Sequence, residues 1–354
     1  MSMQGFSLTP GRINKFKGQI LKHAVPQEVL SKGGRQVKFP KNQSDTYVAR
    51  RWLPYGGTTT APNVFFPTAT GDRGNVIVQA HQTSEGVTPL PDSLTPQDVT
   101  VVMQQYSCLY GFTDKTYDMY EDDIPQAMQE QIGERVTLVN ELLIYGVLKA
   151  STNQFYGGTG TTRVTVNGKL TLALVRKIVK SLQANHGGMV TKALSSSANF
   201  GSDAVSAGFF VYCHTDMEPD IRDLPGFTPT EKYASGTPMP NEVGKVERFR
   251  FITSPDLPSF QDAATSVTAA NVGLYSTTGT NPDVYPVIIA AEDAWSQIAV
   301  RGKESLDPTY LPPGQKSKSD PFGQHGYAGT IWWKAALVEN SGWLAVANVG
   351  VAAI

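Results

Sequence analysis

The amino-acid sequence predicts an α+β fold. Segments with the two-residue apolar alternation of β-strands and segments with the three- and four-residue spacing of helices follow one another without a regular strand–helix–strand rhythm. Hydrophobic residues make up 40% of the 354 residues, so the chain can bury a sizeable core. The 33 glycines and 23 prolines show no period, which predicts many turns and long extended loops.

The first 46 residues are predicted to be an arm. The stretch INKFKGQILKHAV has the pattern of a short amphipathic helix, which Pro26 would end. Residues 1–51 contain ten Lys or Arg and two acidic residues, so they carry +8 and leave −9 for the rest of the chain. A basic arm on an acidic body favours nucleic acid or the body of another copy as its partner, and a solvated flexible tail is the remaining alternative.

We expect this arm to dock on a protein body, its own or a neighbouring one. Exposed ion pairs contribute only about 0–1 kcal/mol each, so docking needs apolar anchors as well as charge. A tail condensed on DNA, which is the alternative, would not need them. The expected anchors are Phe16, Ile20, Leu21, Val25, Val29 and Leu30, and the candidate contacts within the arm are Phe16, Ile20, Leu21 and Lys22.

Residues 47–100 are predicted to form an extended flap. TYVARRWLPY and GNVIVQAH have strand-like composition, and about twenty residues between them lack a helix pattern. We expect a two-stranded flap that projects from the body and lies on another molecule, because large exposed apolar side chains mark interaction surfaces. The candidate contact residues are Trp52, Tyr55, Phe65, Phe66 and Arg73.

A strand and the clearest helix of the chain follow the flap. Residues 101–115 are rich in β-branched and aromatic residues, which predicts a strand. The helix, IPQAMQEQIGERVTLVNELLIYGVLKA, is predicted to be roughly 26 residues and on the order of 39 Å long, with Asp123 as its N-cap. Apolar residues recur along it at helical spacing: Ile124, Met128, Ile132, Val136, Val139, Leu143 and Tyr145.

The rest of the chain alternates between the two kinds of element. TLALVRKIVKSLQANH is predicted to be a helix, and GFFVYCH and ERFRFITSP are predicted to be strands. Between those strands, residues 225–246 read as a loop set by turn residues instead of packing. The end, GTIWWKAALVENSGWLAVANVGV, is predicted to form two strands joined at residues 339–342.

No motif for catalysis or cofactor binding stands out. The chain lacks a phosphate-binding loop and a nucleophile elbow, and its two cysteines lie in unrelated contexts. HTDMEPD, residues 214–220, clusters potential metal ligands, but a helix cap by Thr215 or Asp216 is the better interpretation. The N-terminus has no apolar core of a signal peptide, and no run of 18 apolar residues predicts a membrane span.

Five long segments carry a further signal: EGVTPLPDSLTPQDVTVVMQQYSCLYGFTDK, MEPDIRDLPGFTPTEKY, GKVERFRFITSPDL, STTGTNPDVYPVIIAAEDAWSQIAVRGK and PGQKSKSDPFGQHGYAGTIWWKAAL. With the long helix, and in this order, they resemble the major capsid proteins of tailed bacteriophages of the enquatrovirus or schitovirus kind, which are podophages. The resemblance covers nearly the whole chain from about residue 20 onward.

This resemblance implies an HK97-type capsid fold with an N-arm, an E-loop, a P-domain with a long spine helix, and an A-domain. It also implies that the 225–246 loop lies near the axis of a capsomer, with Phe227, Lys232 and Tyr233 as candidate contacts. The implied division is 1–46 N-arm, 47–100 E-loop, 101–159 P-domain strand and spine helix, 160–303 A-domain, 304–340 linker and P-domain return strand, and 341–354 C-terminal A-domain strand.

The implied function is that of a shell subunit without a catalytic site, cofactor or metal. Copies would form pentamers and hexamers of an icosahedral shell around double-stranded phage DNA, assembled in the cytoplasm of the host bacterium. The implied partners are further copies, a separate scaffolding protein, a portal, optionally a decoration protein, and DNA phosphates without sequence readout. Residues 52–100 contain no lysine, so a covalent cross-link through this loop is not expected. The alternatives are an encapsulin-like compartment shell and a soluble enzyme that forms a small oligomer.

Overall fold

The structure is a computed structural model that describes residues 25–42, 44–65, 73–88, 91–119, 124–194, 202–233, 238–300 and 308–353, with only the backbone for 73–76, 192–194 and 202–206. The strands are β1 (Arg35–Phe39), β2 (Thr46–Trp52), β3 (Pro96–Val102), β4 (Gln104–Thr113), β5 (Gln154–Tyr156), β6 (Val190–Leu194), β7 (Ser202–His214), β8 (Thr228–Pro229), β9 (Glu242–Val246), β10 (Phe249–Ser254), β11 (Tyr285–Ala290), β12 (Trp295–Val300), β13 (Pro308–Leu311), β14 (His325–Val338) and β15 (Leu344–Val349). The helices are α1 (Arg73–Ala80), α2 (Asp114–Met119), α3 (Ile124–Leu148), α4 (Leu172–Ala184), α5 (Glu218–Arg222) and α6 (Ala269–Val272).

The larger sheet has eight strands in the order β5-β15-β11-β7-β10-β9-β8, with β6 also paired to β7. Strands β10, β11 and β15 are buried at every position, because helices cover both faces of the sheet. Val175 and Ile178 of α4 pack on one face. Ile144 and Leu148 of α3 pack on the other face, where they share a core with Phe210 of β7.

The smaller sheet has five strands in the order β1-β12-β14-β13, with β4 also paired to β14. Strand β14 pairs with β4 over residues 325–334 and with β12 over residues 335–338. The first half of α3 packs on this sheet through Met128, Ile132 and Val136. Because its second half packs on the larger sheet, α3 joins the two cores. The prediction of a long helix from Ile124 is confirmed, whereas its predicted N-cap, Asp123, lies outside the described residues.

One strand prediction in the flap region is wrong, and the strand predicted after the flap is interrupted. GNVIVQAH lies mostly within helix α1, and the partner of β2 is β3 instead. Strand β3 suits this place because its residues alternate between covered and exposed, with Val99 and Val101 facing the body. The predicted strand over 101–115 is also broken at Met103, whose N–H donates to the carbonyl of Asp45 (2.8 Å). Strands β3 and β4 consequently belong to different sheets.

The two C-terminal strands do form as predicted, but they do not pair with each other. Strand β14 lies in the smaller sheet and β15 in the larger one, next to β11 and β5. The turn at residues 339–343 therefore crosses from one sheet to the other. Its chain reversal is fixed by Asn340, whose Oδ1 accepts the N–H of Gly342 (3.1 Å).

Candidate assembly interface

Strands β2 and β3 form the stem of the flap, and their two faces differ. On the outer face, Arg50 forms a bidentate ion pair with Asp98 at 2.7 and 2.8 Å, and the hydrogen bond holds the pKa of Asp98 below its usual range. Trp52 on the same face is 59% exposed. On the inner face, Tyr47 and Val99 pack against the smaller sheet. The stem is thus fixed on its own body and leaves its outer face exposed.

Residues 53–65, the root of the flap, fold back on the body of the same chain. Asn63 is buried: its Nδ2 donates to Asn340 Oδ1 (3.0 Å), and Asn340 Nδ2 donates to Asn63 Oδ1 (2.6 Å). The ring of Phe65 lies 4.6 Å from the ring of His186. The expectation that the whole flap projects from the body is therefore wrong for the root, because these contacts hold it down.

The residues predicted to be flap contacts differ in exposure and in the contacts they make within the chain. Trp52 and Tyr55 are exposed, and the Tyr55 ring lies 5.2 Å from the ring of His81. Phe65 is half-exposed and its ring is already engaged within the chain. Phe66 lies outside the described residues, and of Arg73 only the backbone at the start of α1 is described.

The outer flap, residues 73–88 and 91–95 of the described chain, carries exposed apolar side chains that no sequence pattern predicted. Val78, Val87 and Leu94 are 62–75% exposed. In the sequence, Val87 and Leu94 stand alone among Gly, Pro and polar residues, so no periodic pattern points to them. Fully burying such a side chain contributes about 1.5–3 kcal/mol. The outer flap is accordingly a better contact surface than the root.

One face of the smaller sheet is only partly covered. Cys108 and Trp332 pack against α3, so the alternate residues Leu109 and Ile331 point to the opposite face. The flap stem covers that face near Leu337. Leu109 and Ile331 are 48% and 58% exposed. A bare apolar strip thus continues beyond the stem, and such strips mark interaction surfaces.

The base of the N-terminal arm is bound to α3 by a buried carboxylate. Glu141 accepts the backbone N–H groups of Val29 (2.9 Å), Leu30 (2.6 Å) and Ser31 (3.0 Å). Burial raises the pKa of Glu141, although these hydrogen bonds lower it. The side chains of Val29 and Leu30 are buried, as predicted, whereas Val25 is exposed. The candidate arm contacts Phe16, Ile20, Leu21 and Lys22 lie outside the described residues.

A second clamp attaches the arm base to the smaller sheet. The Nε2 group of Gln297 in β12 donates to the carbonyls of Ser31 (2.8 Å) and Gly33 (2.9 Å). Lys334 in β14 donates to Gln297 Oε1 (2.7 Å), and burial lowers the pKa of this lysine. Gly33 lies so close to Tyr212 of the larger sheet that a Cβ would stand 2.3 Å from its hydroxyl. The arm base therefore touches both sheets and α3.

The 225–246 loop is anchored by packing, which corrects the prediction that turn residues alone set it. Glu242 and Arg250 form a buried bidentate ion pair, with Arg250 Nε donating to Glu242 Oε1 (2.8 Å). Tyr233 donates its hydroxyl to the same carboxylate (2.8 Å), and burial together with this carboxylate raises the pKa of Tyr233. Phe227 is partly buried against the larger core. Of the three predicted loop contacts, Lys232 alone is left exposed.

The HTDMEPD segment is used for structure. The predicted cap by Thr215 or Asp216 is wrong, because His214 Nδ1 accepts the N–H of Asp216 instead (3.1 Å). Asp220 is buried and accepts from Lys169 (3.0 Å). Within the described ranges no group of three or more His, Cys, Asp or Glu side chains could hold a metal ion. Among the helices that the structure describes, none is long and apolar enough to cross a membrane.

The described residues thus present exposed apolar side chains on the flap and on one sheet face, on a body whose two sheets are joined by α3. The chain belongs to the family of phage capsid proteins, since the model described as "Phage capsid protein" matches residues 99–314. It is similar to the major capsid protein of Pseudomonas phage KPP21, with 21% identity over 261 residues. That match covers 69% of this chain and 65% of the relative, so the chain spans about two thirds of the relative's length.

The fold is also that of solved phage capsids. The chain is similar to the capsid of Ralstonia phage GP4, with a TM-score of 0.64 and 10% identity over 99% of both chains. It is likewise similar to the capsid asymmetric unit of cyanophage Pam1, with a TM-score of 0.56 and 13% identity over 99% of this chain and 100% of the other. At such identities the likeness concerns the fold alone, and it confirms the predicted α+β fold of the HK97 type.

Proposed function

We propose that this chain is a major capsid protein that assembles into the pentamers and hexamers of an icosahedral phage head around double-stranded DNA. The observation that carries this proposal is the family match over residues 99–314. The encapsulin-like compartment is the second candidate because it would use the same kind of fold, but the family match favours the phage shell.

The structure supports a specific contact between copies. The outer face of the stem, through Trp52, and the outer flap, through Leu94, offer exposed apolar side chains on one side of the contact. The bare strip at Leu109 and Ile331 of a neighbouring copy is the other side. Because the two surfaces differ, the contact is heterologous, and it gives closed rings when its rotation closes. Flaps that reach over a neighbour also bury much area per subunit.

The finer assignments follow from the same proposal. Residues 1–46 form the N-arm, 47–100 the E-loop, 101–159 with 304–340 the P-domain, and 160–303 with 341–354 the A-domain. The loop at 225–246 lies toward the capsomer axis. A separate scaffolding protein, a portal and an optional decoration protein are further partners. The phage is a podophage of the enquatrovirus or schitovirus kind, and the shell assembles in the host cytoplasm.

Electron microscopy of the purified full chain tests the proposal. We expect shells or five- and six-fold capsomers, and discrete small particles at all concentrations would refute it. The matched variant lacks residues 58–72, which removes most of the root and part of the flap while the stem strands stay. This deletion should leave a folded subunit, measured by circular dichroism, that no longer closes shells. A portal gene and a terminase gene next to the coding sequence would distinguish a phage head from an encapsulin-like compartment.

A further inference from the structure

The flap root is held by a polar contact between distant parts of the chain. Asn63 and Asn340 exchange two side-chain hydrogen bonds, and Asn63 Nδ2 also lies 3.2 Å from Asn185 Oδ1. Both Asn63 and Asn340 are buried. A buried amide left without partners costs about 1–3 kcal/mol. The pairing is therefore specific: a root in a different position would leave two buried amides unsatisfied.

The backbone around the pair is shaped to receive it. Gly342 follows Asn340 in the turn between β14 and β15, and a Cβ at Gly342 would stand 2.4 Å from Asn63 Nδ2 and 2.8 Å from Asn185 Oδ1. No positive φ requires glycine at this position. Close approach of the Asn63 side chain is the reason why glycine suits this place. The contact is thus built from the flap, the turn between the sheets and the C-terminal end of α4.

A groove lies beside the Asn63–Asn340 pair, so the hydrogen bonds of the two amides contribute much to the position of the flap root. Between the stem and the turn that joins the two sheets lies a groove of about 700 Å³, lined in part by Arg51, Trp52, Phe65, Glu339 and Trp343. Close packing holds the root less firmly where such a groove lies beneath it, so the root depends on the Asn63–Asn340 hydrogen bonds together with the Phe65–His186 contact. The direction in which the outer flap leaves the body is then set by the stem at one end and by Asn63 at the other.

We infer that the Asn63–Asn340 pair is a positioning contact that aims the outer flap at the neighbouring copy. This inference rests on the proposed function. It predicts that the root stays docked in the assembled shell. If the pair is lost, the residues that meet the neighbour, including Val78, Val87 and Leu94, remain present but are no longer held in one direction. Assembly should then weaken, although the subunit itself stays folded.

Two variants of the full chain test the inference by different means. Asn63→Ala removes the amide, and Gly342→Ala keeps both amides but places a methyl group where Asn63 lies. The control is Gly188→Ala, whose Cβ would meet its nearest neighbour, Glu292, at an ordinary 3.5 Å. For each protein we would measure thermal unfolding, hydrogen exchange of residues 53–65, and the concentration at which shells or capsomers appear by light scattering and electron microscopy.

We expect both test variants to exchange faster in the flap root and to need about tenfold more protein for assembly, a change that corresponds to about 1.4 kcal/mol. The control should match the wild type, and the core strands of all proteins should stay protected. If the wild type assembles and both test variants assemble at the same concentration, the inference is wrong. If they assemble at a lower concentration, the pair restrains the flap instead of aiming it, and the inference is also wrong. A wild type that never assembles overturns the proposed function itself.

Should Asn63→Ala fail to fold, Gly342→Ala decides the matter, because every native side chain remains in it. Should both fail, hydrogen exchange of the wild type gives a third measurement. Residues 53–65 should be as well protected in the assembled shell as in the free subunit. A root that loses its protection on assembly would refute the inference.

Discussion

Replacing Glu141 should release the base of the N-terminal arm. Its carboxylate accepts three backbone N–H groups, from Val29, Leu30 and Ser31, and its pKa is raised by burial. In Glu141→Gln, Oε1 can still accept from Val29 and Leu30, but the new NH2 group faces the N–H of Ser31. One hydrogen bond is lost and a buried N–H is left unsatisfied, which costs about 1–3 kcal/mol.

Glu141→Leu should be more severe, because all three N–H groups lose their acceptor. Each buried unsatisfied donor costs about 1–3 kcal/mol, and part of this loss is offset because no charge remains to be desolvated. We therefore expect a loss of about 3–5 kcal/mol, which lies in the lower part of the sum for three unsatisfied donors. Glu130→Gln is the matched control, since Glu130 is an exposed residue of the same helix.

Denaturant unfolding measures these changes in the free energy of unfolding, and hydrogen exchange at residues 29–31 shows whether the arm base is the part that opens. The Glu141 pKa adds a pH dependence. Because the pKa of Glu141 is higher in the folded state than in the unfolded state, ionisation of this carboxyl opposes folding. The stability that Glu141 contributes is therefore fully present below its unfolded pKa and is lost as pH rises through its folded pKa. The deficit of Glu141→Gln should therefore shrink as pH rises through that window. Wild-type protection of residues 29–31 in Glu141→Leu would refute the reasoning.

Three further predictions concern the body of the subunit. Gly133→Ala should stabilise α3 by about 0.5–1 kcal/mol in thermal unfolding, since nothing lies within 4 Å of the added Cβ; an unfolding temperature below that of the wild type would contradict this. Glu242→Ala should destabilise by about 3–5 kcal/mol, because it removes the buried carboxylate that forms the bidentate ion pair with Arg250; a loss below about 1 kcal/mol in denaturant unfolding would show that the pair is not needed. Cys108 and Cys213 should not react with a thiol reagent until the protein unfolds, since both are buried and burial raises the pKa of Cys213 to about 12; fast labelling of both thiols at neutral pH would contradict their burial.

Local patterns predicted the parts of the fold that depend on local sequence. The 25 residues of α3 follow from apolar spacing that a helix places on one face, and Ile132 and Val136 lie in the core as expected. Strands β7 and β10 follow in the same way from the apolar runs GFFVYCH and ERFRFITSP. These elements bury their apolar residues whichever neighbours they have, so the sequence alone specifies them.

The errors arose where distant parts of the chain decide the structure. GNVIVQAH has the residues of a strand, but the edge of β2 is taken by β3, so the segment has no partner and forms a helix. The Glu242–Arg250 pair that anchors the 225–246 loop consists of two charged residues on neighbouring strands, and charged residues predict exposure when read singly. Asn63 and Asn340 are 277 residues apart, and no periodicity connects two asparagines at that distance.

The arm and the flap meet at the same place, which links the two extensions that would bind other copies. Glu339, next to Asn340 in the turn between the sheets, lies 3.6 Å from Arg35 of β1, the strand that follows the arm base. The Arg35–Glu339 ion pair is partly exposed and contributes little by itself, whereas β1 is held to β12 over its full length. A shift of the turn would therefore move the flap root through Asn63 more than it would move the arm. In a shell whose subunits meet at different angles, this difference would let the flap adjust while the arm base keeps its position.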